Sequence, residues 1–414
     1  MVTYPSDWTT YSFDEMFQLY PNNTLSRDKL SEHGGIGNIH YGDVLIKYGA
    51  VLSEKDSIPR IRTEFESAAR AFLQQNDIIV ADTAEDETVG KVVQIGDIPF
   101  PLVGGLHTIV CRPQVPTAAG YLGYYMNSKE YHEQLLPYIT GIKVSSVSKT
   151  SIRKTELHIP STVEEQAAIV GAIQQFDIHI ANLAELIEKK KAVRDGALED
   201  LVSGRTRLAG FTEEWIEVSF PKVVIPKARI GWQGLRSEEY LRKGYSYLIG
   251  GTDFSNGTIS LRDIWYVAEE RYTMDSNIQV SEGDVLVTKD GTIGKVAIVP
   301  QMDRPATLNS GVYVFRTKNG LTRGFLYRVL QSSVFRKFID VLAAGSTIMH
   351  LYQKDLKNFS FAMPTDGKEQ EAIADVLMAM DNEIKDLEDE RDKMIQIREG
   401  AMDDLLTGRV RLTV

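Results

Sequence analysis

Cysteine is almost absent from this 414-residue sequence: Cys111 stands alone, which excludes an internal disulfide framework and any thiolate-cluster metal site. The seven histidines are scattered, with no His-x-His or HExxH spacing that would gather a metal ion. No apolar run approaches the roughly 20 residues that a membrane-spanning helix needs. The opening MVTYPSDW also lacks the basic-then-apolar order of a secretory leader. The expected setting is therefore cytoplasmic, with no membrane attachment. Gly291-Thr-Ile-Gly-Lys295-Val296 comes nearest to a phosphate loop, but its glycine spacing is incomplete, and Val296 stands where a magnesium-binding hydroxyl belongs. A hairpin turn is the expected structure there. Acidic pairs such as Glu213-Glu214 read as solvated surface, so no catalytic or metal-binding constellation emerges.

What the chain does have is 43% hydrophobic residues, enough for more than one core, and a long internal repeat. GALEDLVSGRTRL from Gly196 returns as GAMDDLLTGRVRL from Gly400, 204 positions on. The same offset relates Glu165-Gln166 to Glu369-Gln370, Asp177 to Asp381, Ile180 to Ile384 and Arg194 to Arg398. A proline (Pro160, Pro364) precedes Thr162-x-x-Glu165 in one copy and Asp366-x-x-Glu369 in the other. Both have the form of a capping box that satisfies the free N–H groups of a helix start. Gly204 and Gly408 sit where a left-handed C-terminal cap is wanted. Each copy is expected to be one long helix.

Along these helices the apolar positions run Ile169, Ile173, Phe176, Ile180, Leu183, Ile187, and then Ile373, Leu377, Met380, Ile384, Leu387. The alternation of three and four is a coiled-coil seam. About 40 residues at 1.5 Å each make a rod of about 60 Å, longer than a small domain is wide. Two matching rods in one chain are expected to pair with each other, antiparallel because the second must return from the globule to which the first leads.

The segments before the rods are distant copies too. Trp8 and Phe13 match Trp215 and Phe220 in a W-x4-F pattern. Asp77-Ile-Ile-Val-Ala-Asp and Asp284-Val-Leu-Val-Thr-Lys each lead to a Gly-Lys-Val, at Gly90 and Gly294, and read as hairpins. A strand follows in each (Leu106 to Cys111, Gly311 to Phe315). Then come a helical pattern (Tyr121 to Leu136, Phe325 to Leu342) and a loop. The expected organisation is α+β, a tandem repeat of pseudo-two-fold character: a mixed-sheet globule (1–162), a rod (163–208), a second globule (209–365) and a second rod (366–414).

Globule-rod-globule-rod, with rods that open in P-x4-EQ and close in L-x-x-G-R-x-R-L (L-L-T-G-R-x-R-L in the second copy), resembles the DNA specificity subunit of type I restriction-modification systems. Gly283-Asp284-Val285-Leu286 through Gly294-Lys295 is similar to a segment of the target-recognition domains of that family. The resemblance implies two recognition domains, each reading half of a split, asymmetric site in double-stranded DNA, and rods that bind two methyltransferase subunits. Motor-nuclease subunits join in the full complex. It implies no catalysis and no cofactor in this chain, S-adenosylmethionine, ATP and magnesium belonging to the partners. The first globule departs from the pattern by an acidic insertion, Asp82 to Glu87, where the second has Asp290-Gly291.

The residues agree that this chain does no chemistry on a base. The amino-methyltransferases that flip out their target carry a polar residue before Pro-Pro and an aromatic, and no Pro-Pro occurs in the sequence. The net charge of −11 lies mostly in the rods and the first globule, the second globule having a small basic excess. Acidic rods facing protein need not repel DNA, because screening confines such fields to about 8–10 Å. Phosphate and base contacts are expected from the hydroxyl-rich basic loops: Lys143, Ser145, Ser146, Lys149, Arg153 and Lys154 in the first globule, and Lys289, Ser346, Thr347, His350, Lys354 and Lys357 in the second. Three rival readings differ in what they predict: a specificity subunit of a non-cutting phage-defence methylation system, a scaffold binding protein or carbohydrate, and an enzyme with an unrecognised site.

Overall fold

Two helices of 40 residues each, Val163–Val202 and Gly367–Leu406, organise the fold. The computed structural model describes residues 3–141, 143–343 and 350–412. Its chain forms two compact units, one of Met1–Ala184 with Asp389–Val414 and the other of Glu185–Glu388. Each unit thus holds one globule, the opening part of one long helix and the closing part of the other.

In the first unit a mixed five-stranded sheet runs in the order Phe17–Tyr20, Thr108–Pro113, Ile78–Ala81, Val92–Ile95, Val51–Leu52, antiparallel except for the last pair. A four-stranded sheet (Leu102–Gly104, Gly37–Ile39, Arg60–Ile61, Leu30–Ser31) lies beside it in the chain's path, and Trp8–Ser12 pairs with Glu156–Pro160. The second unit repeats the plan. Val224–Ala228, Val312–Thr317, Val285–Thr288, Val296–Ile298, Thr258–Ile259 and Phe254–Ser255 make six strands. Trp265–Val267, Ser246–Ile249, Ala306–Leu308 and Gln279–Val280 make four, and Trp215–Ser219 pairs with Ser360–Pro364. In both copies of W-x4-F the tryptophan opens that short strand, and the phenylalanine starts a one-turn helix with its ring fully buried.

The hairpins form where expected, Ile78–Val80 against Val92–Gln94 and Val285–Val287 against Val296–Ile298. Gly90 and Gly294 close them at φ +93° and +80°, and a Cβ on either would press into Leu135 or Ile339 of the helix packed above. Gly291 to Lys295 is therefore a turn, held by Thr288, whose Oγ1 donates to the Thr292 carbonyl at 2.6 Å and accepts from Lys295 N at 2.9 Å. The helical patterns that follow are each broken in two, into Tyr121–Met126 with Lys129–Leu135 and Arg323–Gln331 with Ser333–Ala343. Asn127 causes the first break by turning its side chain onto the Val92 backbone, 2.9 and 2.8 Å away, after which Ser128 caps the next helix. At the second, Glu199 of the long helix accepts from Ser333 N at 2.7 Å and from its hydroxyl at 2.5 Å.

Within each unit the two long helices run antiparallel. In the first, Asp177 meets Arg398 at 2.5 Å and His179 lies 3.7 Å from Glu390. In the second, Lys190 meets Glu383 at 2.6 Å and Arg194 lies 3.3 Å from Asp381. Such exposed pairs contribute little stability, but their order fixes the direction. The apolar stripe divides its work. Ile169, Ile173, Ile373 and Leu377 pack into the core of their own globules. Leu183, Ile187 and Ile384 are buried mid-helix, and Phe176, Ile180, Met380 and Leu387 are half-buried. Each globule core also receives the end of the other long helix: Met402, Leu405 and Leu406 in the first unit, Leu198, Leu201 and Val202 in the second.

The repeated motifs at the helix ends are a latch. Gln166 accepts from Ala118 N and donates to the Pro160 carbonyl, both at 2.9 Å. Gln370 does the same with Thr322 N at 2.8 Å and Pro364 at 2.9 Å. The neighbouring glutamates were expected to return to their caps. Instead Arg411 holds Glu165 at 2.5 and 2.8 Å, and Arg207 holds Glu369 at 2.9 and 2.6 Å. Each cap side chain does accept a helix N–H, Thr162 from Glu165 N at 3.4 Å and Asp366 from Lys368 N, one residue short of the box position, at 2.8 Å. A two-pronged guanidinium outcompetes the cap amide as partner for a carboxylate taken out of water, and Glu369 is fully buried. In G-R-x-R-L, then, the second arginine spans the unit, while the first (Arg205, Arg409) folds back onto Asp200 or Asp404.

Gly204 and Gly408 both adopt φ +71°, as their positions demand. Their surroundings differ: a Cβ on Gly408 would lie 2.5 Å from Pro5, whereas one on Gly204 would meet the face of Trp215 at 3.1 Å. The left-handed conformation alone costs an alanine about 1 kcal/mol. Gly408→Ala is expected to lower the urea midpoint by more than Gly204→Ala, and equal losses would show that the contact with Pro5 relaxes freely.

Candidate nucleic-acid interface

In both units, loops from distant parts of the chain meet at the end of the central strand. In the first unit, Ile78–Ala81 runs out into Asp82, whose N–H donates to the His107 carbonyl at 3.1 Å and whose own carbonyl accepts from Val147 N at 2.9 Å. Thr83–Ala84 pairs antiparallel with Ser145–Ser146, and Tyr41 N donates to Leu106. Four loops are thereby tied together. Their side chains interlock: Thr83 donates to Asp82 at 2.8 Å, His107 Nδ1 lies 3.4 Å from the same carboxylate, and the His107 ring meets Tyr41 edge-on. His40 beside them is buried and accepts from Gly42 N, and burial lowers its pKa, so the neutral ring persists further into the acid range.

The second unit builds the same junction from other residues. Lys289 N donates to Gly311 and its carbonyl accepts from Leu351 N, both at 2.9 Å, while Asn309 N donates to Ile249 at 2.8 Å. Asp290 bridges to His350 through the backbone, and its carboxylate holds the His350 ring, which packs on Tyr352 with ring centres 4.2 Å apart.

Of the loop residues singled out from the sequence, Lys143 and Lys149 are exposed, and Ser145 and Ser146 are half-buried in the strand pair against Thr83–Ala84. Lys154 lies over the Tyr138 ring, and Arg153 is paired with Asp14 at 3.4 Å, away from this junction's contacts. His350 stands at the junction. Lys354 is exposed above Tyr352, and Lys357 is exposed. Lys289 is less available than its charge suggested, its side chain being 13% exposed, 3.7 Å from Asp290 and over Tyr313. Ser346 and Thr347 lie outside the described residues. Tyr41, Asp82, His107, Asn309 and Asp290 were not singled out. Only the strand-end position of Asp82 and Asp290 offered a signal, and it read as an acidic insertion at Asp82 and as a turn at Asp290 rather than as a site.

No group of His, Cys, Asp or Glu among the described residues is placed to hold a metal ion, and no described helix is long and apolar enough to cross a membrane. Cys111 is fully buried, and burial pushes its thiol far above the ordinary range, which leaves it inert.

The sequence matches the family described as the type I restriction modification DNA specificity domain over residues 5–191 and 235–396, one segment in each half of the chain. A chain of Methanocaldococcus jannaschii assigned as the MjaX type I restriction enzyme specificity subunit is 24% identical over 99% of this chain and 95% of its own length. The MjaVIII specificity subunit of the same organism is 25% identical over 70% of each chain. Among solved structures, the S subunit of a type I restriction-modification system from M. genitalium superposes with TM-score 0.55 at 17% identity over 96% of both chains. A chain from a study of complex assembly in a type I system superposes with TM-score 0.64 at 16% identity over 99% of this chain and all of the other. The duplicated plan, the latch at each helix end and the match in both halves converge: the chain belongs to the type I restriction-modification DNA specificity subunits.

Proposed function

We propose that this chain is the sequence-reading, non-catalytic subunit of a type I restriction-modification complex. Each globule, taken as residues 1–162 and 209–365, reads half of an asymmetric bipartite site in double-stranded DNA. The observation that carries this reading is the loop junction made twice, once in each unit, with different side chains on the same backbone plan. Two readers of one construction but different chemistry suit two unlike half-sites. Lys143, Ser145, Ser146, Lys149 and His350, with Lys354, are the proposed contacts to backbone and base edges. Arg153 and Lys289 are proposed in secondary parts, since each already has a carboxylate partner.

The long helices are proposed to dock two methyltransferase subunits, to which motor-nuclease subunits are added. Ile178, Leu186, Val193, Val376, Met378 and Ile397 remain exposed along them, more apolar surface than a helix pair facing only water would keep. With a net charge of −11, firm DNA binding requires a basic partner to close around the duplex. The purified chain mixed with S-adenosylmethionine and DNA is expected to transfer no methyl group. The same chain with its methyltransferase subunits is expected to methylate adenines in one fixed split motif. Transfer by the homogeneous chain, or methylation without a fixed motif, would overturn the reading.

A further inference from the structure

Each loop junction presents an aspartate–histidine pair, and the two pairs are not copies of one another. Asp82 and Lys289 are structural counterparts, since each donates its N–H to the corresponding loop carbonyl, at His107 and Gly311. Asp290 comes one residue later. The histidines come from different loops altogether: His107 precedes the strand Thr108–Pro113, whereas His350 follows the helix Ser333–Ala343. The same pairing of groups has thus been reached twice from unlike positions. Both pairs stay reachable, with side-chain exposures of 48% and 28% for His107 and Asp82, and 25% and 42% for His350 and Asp290.

An exposed carboxylate is out of place on a surface that approaches a polyanion unless something there donates to it. In DNA the phosphates and sugars of the backbone carry no hydrogen-bond donor, and in the major groove the donors are the exocyclic amino groups of cytosine and adenine. Thr83 and His107 both meet Asp82 at Oδ1, and His350 meets Asp290 at Oδ1, so that from a DNA duplex only base edges can donate to the second oxygen of each carboxylate. The histidine turns one ring nitrogen toward the carboxylate, which orients the acid and leaves the other nitrogen for the neighbouring base.

Resting on the DNA-reading function proposed above, we propose that Asp82 with His107, and Asp290 with His350, are base-reading groups, one pair for each half-site, each carboxylate accepting from the N4 amino group of a cytosine. Glu or Asp is the usual acceptor for that amino group, whereas an amide pairs in two-pronged fashion with adenine.

The test is modified-base sequencing of plasmid DNA treated with the full chain assembled with its methyltransferase subunits. Asp82→Asn is expected to alter one base position in one half of the motif, admitting adenine there, and to slow methylation of the parental motif roughly tenfold or more. Asp290→Asn is expected to do so in the other half. His107→Gln and His350→Gln provide a second pair of variants that report on the same positions without touching the carboxylate, should an aspartate variant fail to fold. Variants that assemble and methylate the parental motif unchanged would overturn the proposal. So would a loss spread over both halves from a single substitution, since that marks a structural role. If the parent complex shows no fixed motif, the DNA-reading function itself has failed, an outcome separable from either of these.

Discussion

A chain ending at Gly210 is expected to form a homodimer that, supplied with methyltransferase subunits, methylates a palindromic split site built from one half of the parental site. The truncated chain keeps the first globule and the first long helix but loses Met402, Leu405 and Leu406 from its core and Arg411 from Glu165. It carries the replacements itself, because Leu198, Leu201, Val202 and Arg207 fill the same places in the second unit. A second copy running antiparallel supplies them. Each fully buried leucine or valine contributes roughly 1.5–3 kcal/mol, and a symmetric dimer buries two such sets. Two-fold symmetry then forces both readers to see the same half-site in inverted orientation. Mapping of methylated adenines decides the matter. Retention of the parental asymmetric motif, or a motif unrelated to either half, would show that the globules do not read independently.

Charge placed between the long helices is expected to have the largest effect of any single substitution on stability. Ile187 and Ile384 are 1% and 7% exposed, in the stretch where Lys190–Glu383 and Lys191–Glu388 tie the helices together. Ile187→Asp or Ile384→Asp removes apolar burial and leaves a carboxylate without a partner, a loss of roughly 2–5 kcal/mol. Denaturation in urea measures it. Ile178→Asp, at a site 53% exposed on the same helix, is expected to leave that midpoint within about 0.5 kcal/mol while preventing co-purification with the methyltransferase subunits. If Ile187→Asp left the midpoint unchanged, the seam would lie on another face.

Local patterns were legible in the sequence because their causes are local. Gly204 and Gly408 read as left-handed caps, Val285–Thr288 as a hairpin strand, and the two long helices as seam-bearing rods, each from spacing and residue type within a few turns, while the antiparallel order of the rods followed from the path of the chain. Glu165 and Glu369 were misread for the complementary reason. Three residues after a cap, a glutamate looks like half of a capping box, and nothing nearby announces an arginine 246 or 162 positions away. The breaks at Asn127 and Ser332 were hidden likewise, the first depending on a backbone 35 residues distant. The loop junctions were the least legible part. Lys143 to Ser146 and His350 were noticed for charge and hydroxyls, but that Asp82 meets His107, and Asp290 meets His350, follows from strand pairing no motif records.

The first unit is discontinuous, Met1–Ala184 with Asp389–Val414, while the second is the single stretch Glu185–Glu388. During synthesis this sets an order of events. The first globule emerges before the second with a gap in its core, and the side chains that fill it, Met402, Leu405 and Leu406, are made only after the whole of the second unit. The second unit has all its parts in hand before then. The domain begun first is completed last, and in the interval its apolar surface stays open. Slow elongation or premature release is costly for this chain in a way that a simple string of domains escapes.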